Sequence, residues 1–229
     1  MDTSRVLENL VDSFKANADA ENAVPMAAYM KNRFDFLGIK SPMRRKLQQP
    51  FFKEMKSTGI TEVIAVIDEL WTLPYREFQY CASELLEKHT RRLPEGYIEK
   101  FQKLITTKSW WDSLDAIVPR SLGAFFKMYP HLIKDKVSQW VESENIWLNR
   151  AAILFQLKYK ETTDKALLFD TVLKLKDRGE FFVDKAIGWA LREYSKTNPE
   201  EIITFVETNT LSPLSKREAL KIINQSTNR

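Results

Sequence analysis

The chain is poor in the residues that build metal, redox and nucleotide sites. Among its 229 residues there are one Cys and two His. A single Cys excludes an intramolecular disulfide and fits a reducing compartment. So few soft ligands also argue against a His/Cys zinc site. The glycines stand at positions 38, 59, 96, 123, 179 and 188. They are too scattered for a phosphate loop or a dinucleotide fingerprint, both of which need clustered glycines. No apolar run reaches the roughly 18 residues of a membrane-spanning helix. The first ten residues carry acids and lack the apolar centre of a signal peptide. The expectation is a cytoplasmic, monomeric protein with no metal, no cofactor and no membrane partner.

What the chain does have is core-forming material. Apolar residues make up 44% and aromatic residues 12%, which excludes intrinsic disorder. At about 150 residues per domain the length allows one large domain or two small ones. No low-complexity linker divides the chain, so residues 1–229 are read as a single domain. Net charge is +4, and its distribution is uneven. Residues 1–30 carry two basic and five acidic residues, whereas residues 31–56 carry eight basic and two acidic ones. A local basic patch suits a polyanion, although a solvated helix face would look the same.

Helix is the only periodicity present. Val63, Ile64, Ile67 and Leu70 form one stripe, and Ala151–Leu157 and Ala166–Leu175 behave similarly. Strand alternation and two-residue Gly turns are missing. Ser41-Pro42, Asn198-Pro199 and Ser212-Pro213 each pair an N-cap residue with Pro at the first helical position. Such breaks predict about a dozen helices, most of 10–18 residues.

The helices also repeat. Arg76, Arg150, Lys185 and Arg217 each open a helical run backed by small or apolar residues. Their separations, 74 (twice 37), 35 and 32, suggest a two-helix unit of about 35 residues, hence an all-α, HEAT-like repeat α-solenoid. A different helical-pair repeat or an ordinary bundle stays open. Stacked second helices would line a concave face and carry the recurring cations on it. One copy differs: the residue at that register is Asp115. Trp111 lies four residues before Asp115, Lys185 four before Trp189, Trp147 three before Arg150, and Arg192 three after Trp189. Each of these pairs shares a helix face. Trp71, Trp110 and Trp140 are read as core or interface residues. Arg150 and Lys185 could pair with neighbouring repeats, and Asp115 could pair with such a cation.

A carboxylate flanked by indole faces suits a substrate that becomes cationic. Indoles attract cations by about 0.5–2 kcal/mol each. Glycosidic cleavage passes through an oxocarbenium-like transition state, so it fits the set. Neither His nor Cys81 has a nucleophile–base context.

The blocks Ser109–Pro119, Asn145–Lys160 and Phe181–Tyr194 resemble the signature of the AlkD-type alkylpurine DNA glycosylases. Met26–Asn32, Leu37-Gly38-Ile39 with Arg44-Arg45, and Pro213–Ala219 fit as well, and the resemblance spans about residues 20–223. Gln48–Phe52 and the C-terminal tail look less typical. The resemblance implies a HEAT-like solenoid whose concave basic face binds duplex DNA and which excises cationic N3- and N7-alkylpurines. It matches Trp111, Asp115 and Trp189 to the catalytic cleft. It matches Arg150 to a phosphate beside the lesion, Tyr29 to a DNA-facing aromatic, and Arg45, Lys158 and Arg192 to backbone-contacting positions. It also implies that the damaged base stays in the duplex. Two other readings stand beside it: a non-catalytic relative that binds DNA structures, and a HEAT scaffold that binds proteins.

Overall fold

A computed structural model describes residues 2–227; Met1, Asn228 and Arg229, which the single-domain reading includes, lie outside the described residues. The fold is all-α. Apart from one isolated bridge between Asp35 and Tyr75, the regular structure of the described residues is helical. The chain forms two compact units, residues 1–93 and 94–229.

The first unit holds α1 (Thr3–Ala16), α2 (Ala20–Tyr29), α3 (Ser41–Leu47), α4 (Gln49–Met55), α5 (Ile60–Thr72) and α6 (Arg76–His89). Three residues of the stripe read from the sequence lie in its core: Val63, Ile67 and Leu70 are fully buried, as are Phe14, Phe78 and Leu85, whereas Ile64 is only half-buried. Glu77 is also fully buried. Its carboxylate accepts the backbone N–H groups of Leu37, Gly38 and Ile39 at 3.0, 2.9 and 3.1 Å. Those three bonds offset the cost of burying a charge. Gly38 permits the turn, because φ is +87° and a Cβ would sit 1.9 Å from the carbonyl oxygen of Asp19. The Leu37-Gly38-Ile39 block is therefore a backbone cradle for Glu77.

The second unit holds α7 (Ile98–Thr106), α8 (Trp111–Ile117), α9 (Gly123–Met128), α10 (Ile133–Glu142), α11 (Ile146–Leu154), α12 (Lys165–Leu175), α13 (Phe181–Tyr194), α14 (Pro199–Thr208), α15 (Pro213–Ala219) and α16 (Lys221–Thr227). Between α8 and α9 the chain stays helical but widens into five π-helical residues, Val118–Leu122. Pro119 accounts for the change. It has no N–H to give the carbonyl of Asp115 four residues back, so the α-helical ladder breaks one turn beyond that residue.

Several helices, α3, α8 and α15 among them, are only seven residues long, shorter than the spacing of breaks predicts. Asn198 and Ser212 are N-caps as expected, and the Ser212 hydroxyl accepts the N–H of Ser215 at 3.1 Å. At the third site the helix starts one residue early, with Lys40 at the cap.

The repeat is sharper than the sequence suggests. α3, α6, α8, α11 and α13 begin at residues 41, 76, 111, 146 and 181, each 35 after the last, and α15 begins 32 further on. A second observation fixes the register. Gln79 Nε2 donates to the carbonyls of Leu70, Trp71 and Leu73. Asn149 Nδ2 donates to those of Trp140, Val141 and Ser143. In each pair of helices a buried amide on the second closes the C-terminal end of the first, with the same three separations. The fifth helical residues are then Arg45, Tyr80, Asp115, Arg150, Lys185 and Arg217. Asp115 shares its register with Arg150 and Lys185. Arg76 does not: it stands one turn too early, and Tyr80 takes its place. Arg76 is buried instead, its guanidinium 3.8 Å from the centre of the Phe34 ring.

Because Asn149 serves three carbonyls at the end of α10, only one of which, that of Ser143, has a second donor in Arg178, Asn149→Ala is expected to cost about 1–3 kcal/mol. Urea unfolding checks this, through a lower midpoint with an unchanged slope.

Candidate functional site

Neighbouring repeats in the second unit place chemistry-bearing groups side by side. Asp115 projects from the middle of α8, and Arg150 comes from the matching position of α11. They form a bidentate pair: Nε to Oδ1 at 3.0 Å, Nη2 to Oδ1 at 2.8 Å and Nη2 to Oδ2 at 2.8 Å. Arg150 Nη1 donates to the carbonyl oxygen of Phe182 at 2.6 Å. The Arg150 side chain is only 5% exposed, that of Asp115 21%. Beside the pair, Trp110, Trp147 and Phe182 form an aromatic cluster with ring centres 5.0–5.6 Å apart.

The sequence expects Arg150 at a phosphate, and the structure turns its guanidinium inward onto a carboxylate. Of roughly four acceptor positions on a carboxylate, Arg150 fills three, leaving one at Oδ2. Burial raises the Asp115 carboxyl above its ordinary value. The charge and hydrogen bonds of Arg150 oppose that rise, and the charge of Asp112 adds to it. The carboxylate is thus held in place and partly desolvated, with capacity for one further donor.

The six tryptophans divide as their spacing suggests. Trp71, Trp110 and Trp140 are buried. Trp111, Trp147 and Trp189 are half-buried, each on a helix face that also carries a charged residue. Trp111 sits on α8 with Asp115. Trp189 sits on α13 with Lys185 four residues before it and Arg192 three after. Both of those cations pair with Glu218 of α15: Lys185 Nζ lies 3.0 Å from Oε1, and Arg192 Nη1 bonds Oε2. Gly188 allows this approach, since a Cβ there would lie 2.5 Å from the Glu218 Cβ and 3.0 Å from the Ser215 carbonyl oxygen.

Of the remaining sequence-chosen residues, Lys158 is exposed just beyond α11. Tyr29, 68% exposed at the end of α2, and Arg45, exposed on α3, belong to the first unit. Glu218 and Phe182 are the residues the sequence did not single out. Both lie inside family-like blocks, but their hydrogen-bonding partners stand 26 to 33 residues away, so no local spacing marks them. Cys81 is buried, and burial pushes its thiol well above the ordinary range, which suits packing rather than nucleophilic work. No helix of the described residues is long and apolar enough to cross a membrane.

Residues 10–223 match the family of DNA alkylation repair enzymes. A solved structure described as a predicted DNA alkylation repair enzyme from Enterococcus faecalis is 33% identical, with a TM-score of 0.84 over 89% of this chain and 95% of its own. No functionally curated protein matches. With nearly the whole chain matched, this protein belongs to the DNA alkylation repair enzyme family.

Proposed function

We propose that the protein is a DNA glycosylase that hydrolyses the N-glycosidic bond of N3- and N7-alkylated purines in duplex DNA. The observation that carries this reading is Asp115: a partly desolvated carboxylate, fixed by Arg150, on a helix face it shares with the half-buried Trp111. An alkylated purine already carries positive charge and is a good leaving group. As the C1′–N bond breaks, its electron pair neutralises the base and positive charge gathers on the deoxyribose. No group need protonate the base. The remaining tasks are to stabilise that cation and to direct water to C1′.

Asp115 performs both. Its negative charge faces the sugar, and the open position on Oδ2 accepts a hydrogen bond from the attacking water. The water oxygen bonds to C1′ as the C1′–N bond breaks, and its proton passes to Asp115 Oδ2 and from there to solvent, giving an abasic site and the neutral free base. Trp111 and Trp189 pack against the sugar, exclude bulk solvent and lend their π-faces to the cation. Arg150 acts first on Asp115 and reaches a phosphate only by exchanging one of its present bonds. Tyr29, Arg45, Lys158 and Arg192 contact the duplex through backbone and sugar, which gives affinity without base sequence. Because recognition rests on charge in the leaving group, neutral lesions are poor substrates; that the base stays stacked is what the resemblance to the AlkD-type glycosylases implies.

The test compares single-turnover release from duplexes with one N7-methylguanine or one uracil. Release of the first alone is expected. Equal release of both would require a general acid and would overturn the proposed role of leaving-group charge.

A further inference from the structure

The Lys185–Glu218–Arg192 bridge has a geometry that the excision chemistry does not use. Lys185 and Arg192 stand one turn to either side of Trp189 on one face of α13, and Glu218 reaches both, one oxygen to each. A single oxyanion bridging two cations is also how a backbone phosphate would sit there. Glu218 does not depend on the cations for its place. Ser215, on the same short helix, donates its hydroxyl to the Asp184 carbonyl at 3.0 Å, and the absence of a side chain at Gly188 sets α15 directly on α13. The Glu218 side chain is 16% exposed, against 22% for Arg192 and 40% for Lys185. The carboxylate is the anchored member and the cations are the more accessible ones. The two cations in turn hold the Glu218 carboxyl below its ordinary value, so it stays charged at neutral pH.

We infer that Glu218 is an internal stand-in for phosphate, which occupies the two cations beside Trp189 and moderates the grip of this face on DNA. The inference rests on the proposed function, because it takes the Trp189 face as the one that meets duplex DNA. When a duplex arrives, its phosphate competes with a carboxylate that is already in position. Part of the electrostatic attraction is thereby cancelled, and this matters most for intact DNA, which outnumbers lesions and competes for the protein. Glu218 acts through Lys185 and Arg192 and touches no reacting atom; it is a residue that sets affinity, not a catalytic one.

The test measures affinity for an undamaged duplex across a salt series, by fluorescence anisotropy, for the wild type, Glu218→Gln and Glu218→Gln with Lys185→Gln. Gln keeps the shape and removes the charge. Each cation released to a phosphate steepens the log–log salt slope by about 0.9, which is about an eightfold gain in affinity per contact at 0.1 M salt relative to 1 M. Glu218→Gln is expected to bind more tightly with a steeper slope, and the second substitution to remove about half of the increase. A merely structural role for Glu218 would lower the melting temperature and leave the slope where it is in the wild type. A slope in Glu218→Gln equal to that of a wild type that binds DNA overturns this inference alone. No duplex binding by the wild type at any salt concentration overturns it together with the proposed function.

Discussion

Asp115→Asn is expected to slow release of an alkylated base by about a thousandfold while leaving duplex affinity equal or slightly higher. The size follows from Coulomb's law. A carboxylate about 4 Å from a developing cation, at an effective dielectric near 20, contributes about 4 kcal/mol, and each 1.36 kcal/mol is tenfold in rate. Asn keeps the shape and its Oδ1 can still accept from Arg150, but the buried guanidinium loses its countercharge, so the rates are compared at a temperature where the melting curve shows the variant folded. Affinity does not fall because removing an acid cannot weaken attraction to phosphate. The pH dependence adds an independent sign. Burial raises the Asp115 carboxyl despite Arg150, so the acid limb of excision lies above the ordinary range for aspartate. The enzyme loses activity as pH falls through that raised value, and Asp115→Asn has no such limb. Single-turnover kinetics from pH 4 to 8 check both points.

Arg150→Met is expected to cost about 3–5 kcal/mol of stability, because it leaves half of a buried ion pair without its partner. In a chain of this length that corresponds to a melting temperature lower by about 10 °C. Without the guanidinium nothing counters the burial of Asp115, so its carboxyl rises further. A folded-state value raised above the unfolded one means that ionisation opposes folding. The resulting penalty is absent at low pH, where both states are protonated, and grows as pH rises past the unfolded value. The stability deficit of Arg150→Met relative to the wild type is therefore larger at pH 8 than at pH 4, and its excision falls off at a higher pH. The salt slope for intact duplex changes little, since the guanidinium is turned inward. A variant that kept its stability but lost salt dependence would place Arg150 at a phosphate in the free protein instead.

The fold was legible where periodicity and composition agree. Helical stripes such as Val63, Ile67 and Leu70 can be read because burial repeats every turn, and the 35-residue spacing of Asp115, Arg150 and Lys185 is visible directly. The match of Arg76 to Arg150 is one turn out of register. A charged residue near a helix start is a weak marker, and the true marker is the amide of Gln79 or Asn149, whose role depends on carbonyls six to nine residues back. The helices are shorter than the breaks predict, because Pro119 interrupts the α-helical ladder after α8 and because α15 ends after seven residues without a Pro or Gly to mark the stop.

At the site, the face shared by Trp111 and Asp115 and the one shared by Lys185, Trp189 and Arg192 follow from spacing alone. The pairing of Asp115 with Arg150 was one of two readings the sequence allowed. The shared register of α8 and α11 is visible in the 35-residue spacing, but which way the Arg150 guanidinium turns is not, and only the structure shows it on Asp115. Glu218 was not legible, because an acid next to Arg217 on a solvated helix looks ordinary until Gly188 brings α15 onto α13.

The central claim is that a fixed carboxylate drives loss of a cationic base, and the most direct measurement is of products. The wild type is incubated in excess over a duplex with a single N7-methylguanine, and free base is quantified together with alkali-labile strand breaks. Equal amounts of free N7-methylguanine and abasic sites are expected, with strands intact until alkali is added, and almost none of either with Asp115→Asn. Duplex binding without base release, or release at the wild-type rate by Asp115→Asn, would contradict it.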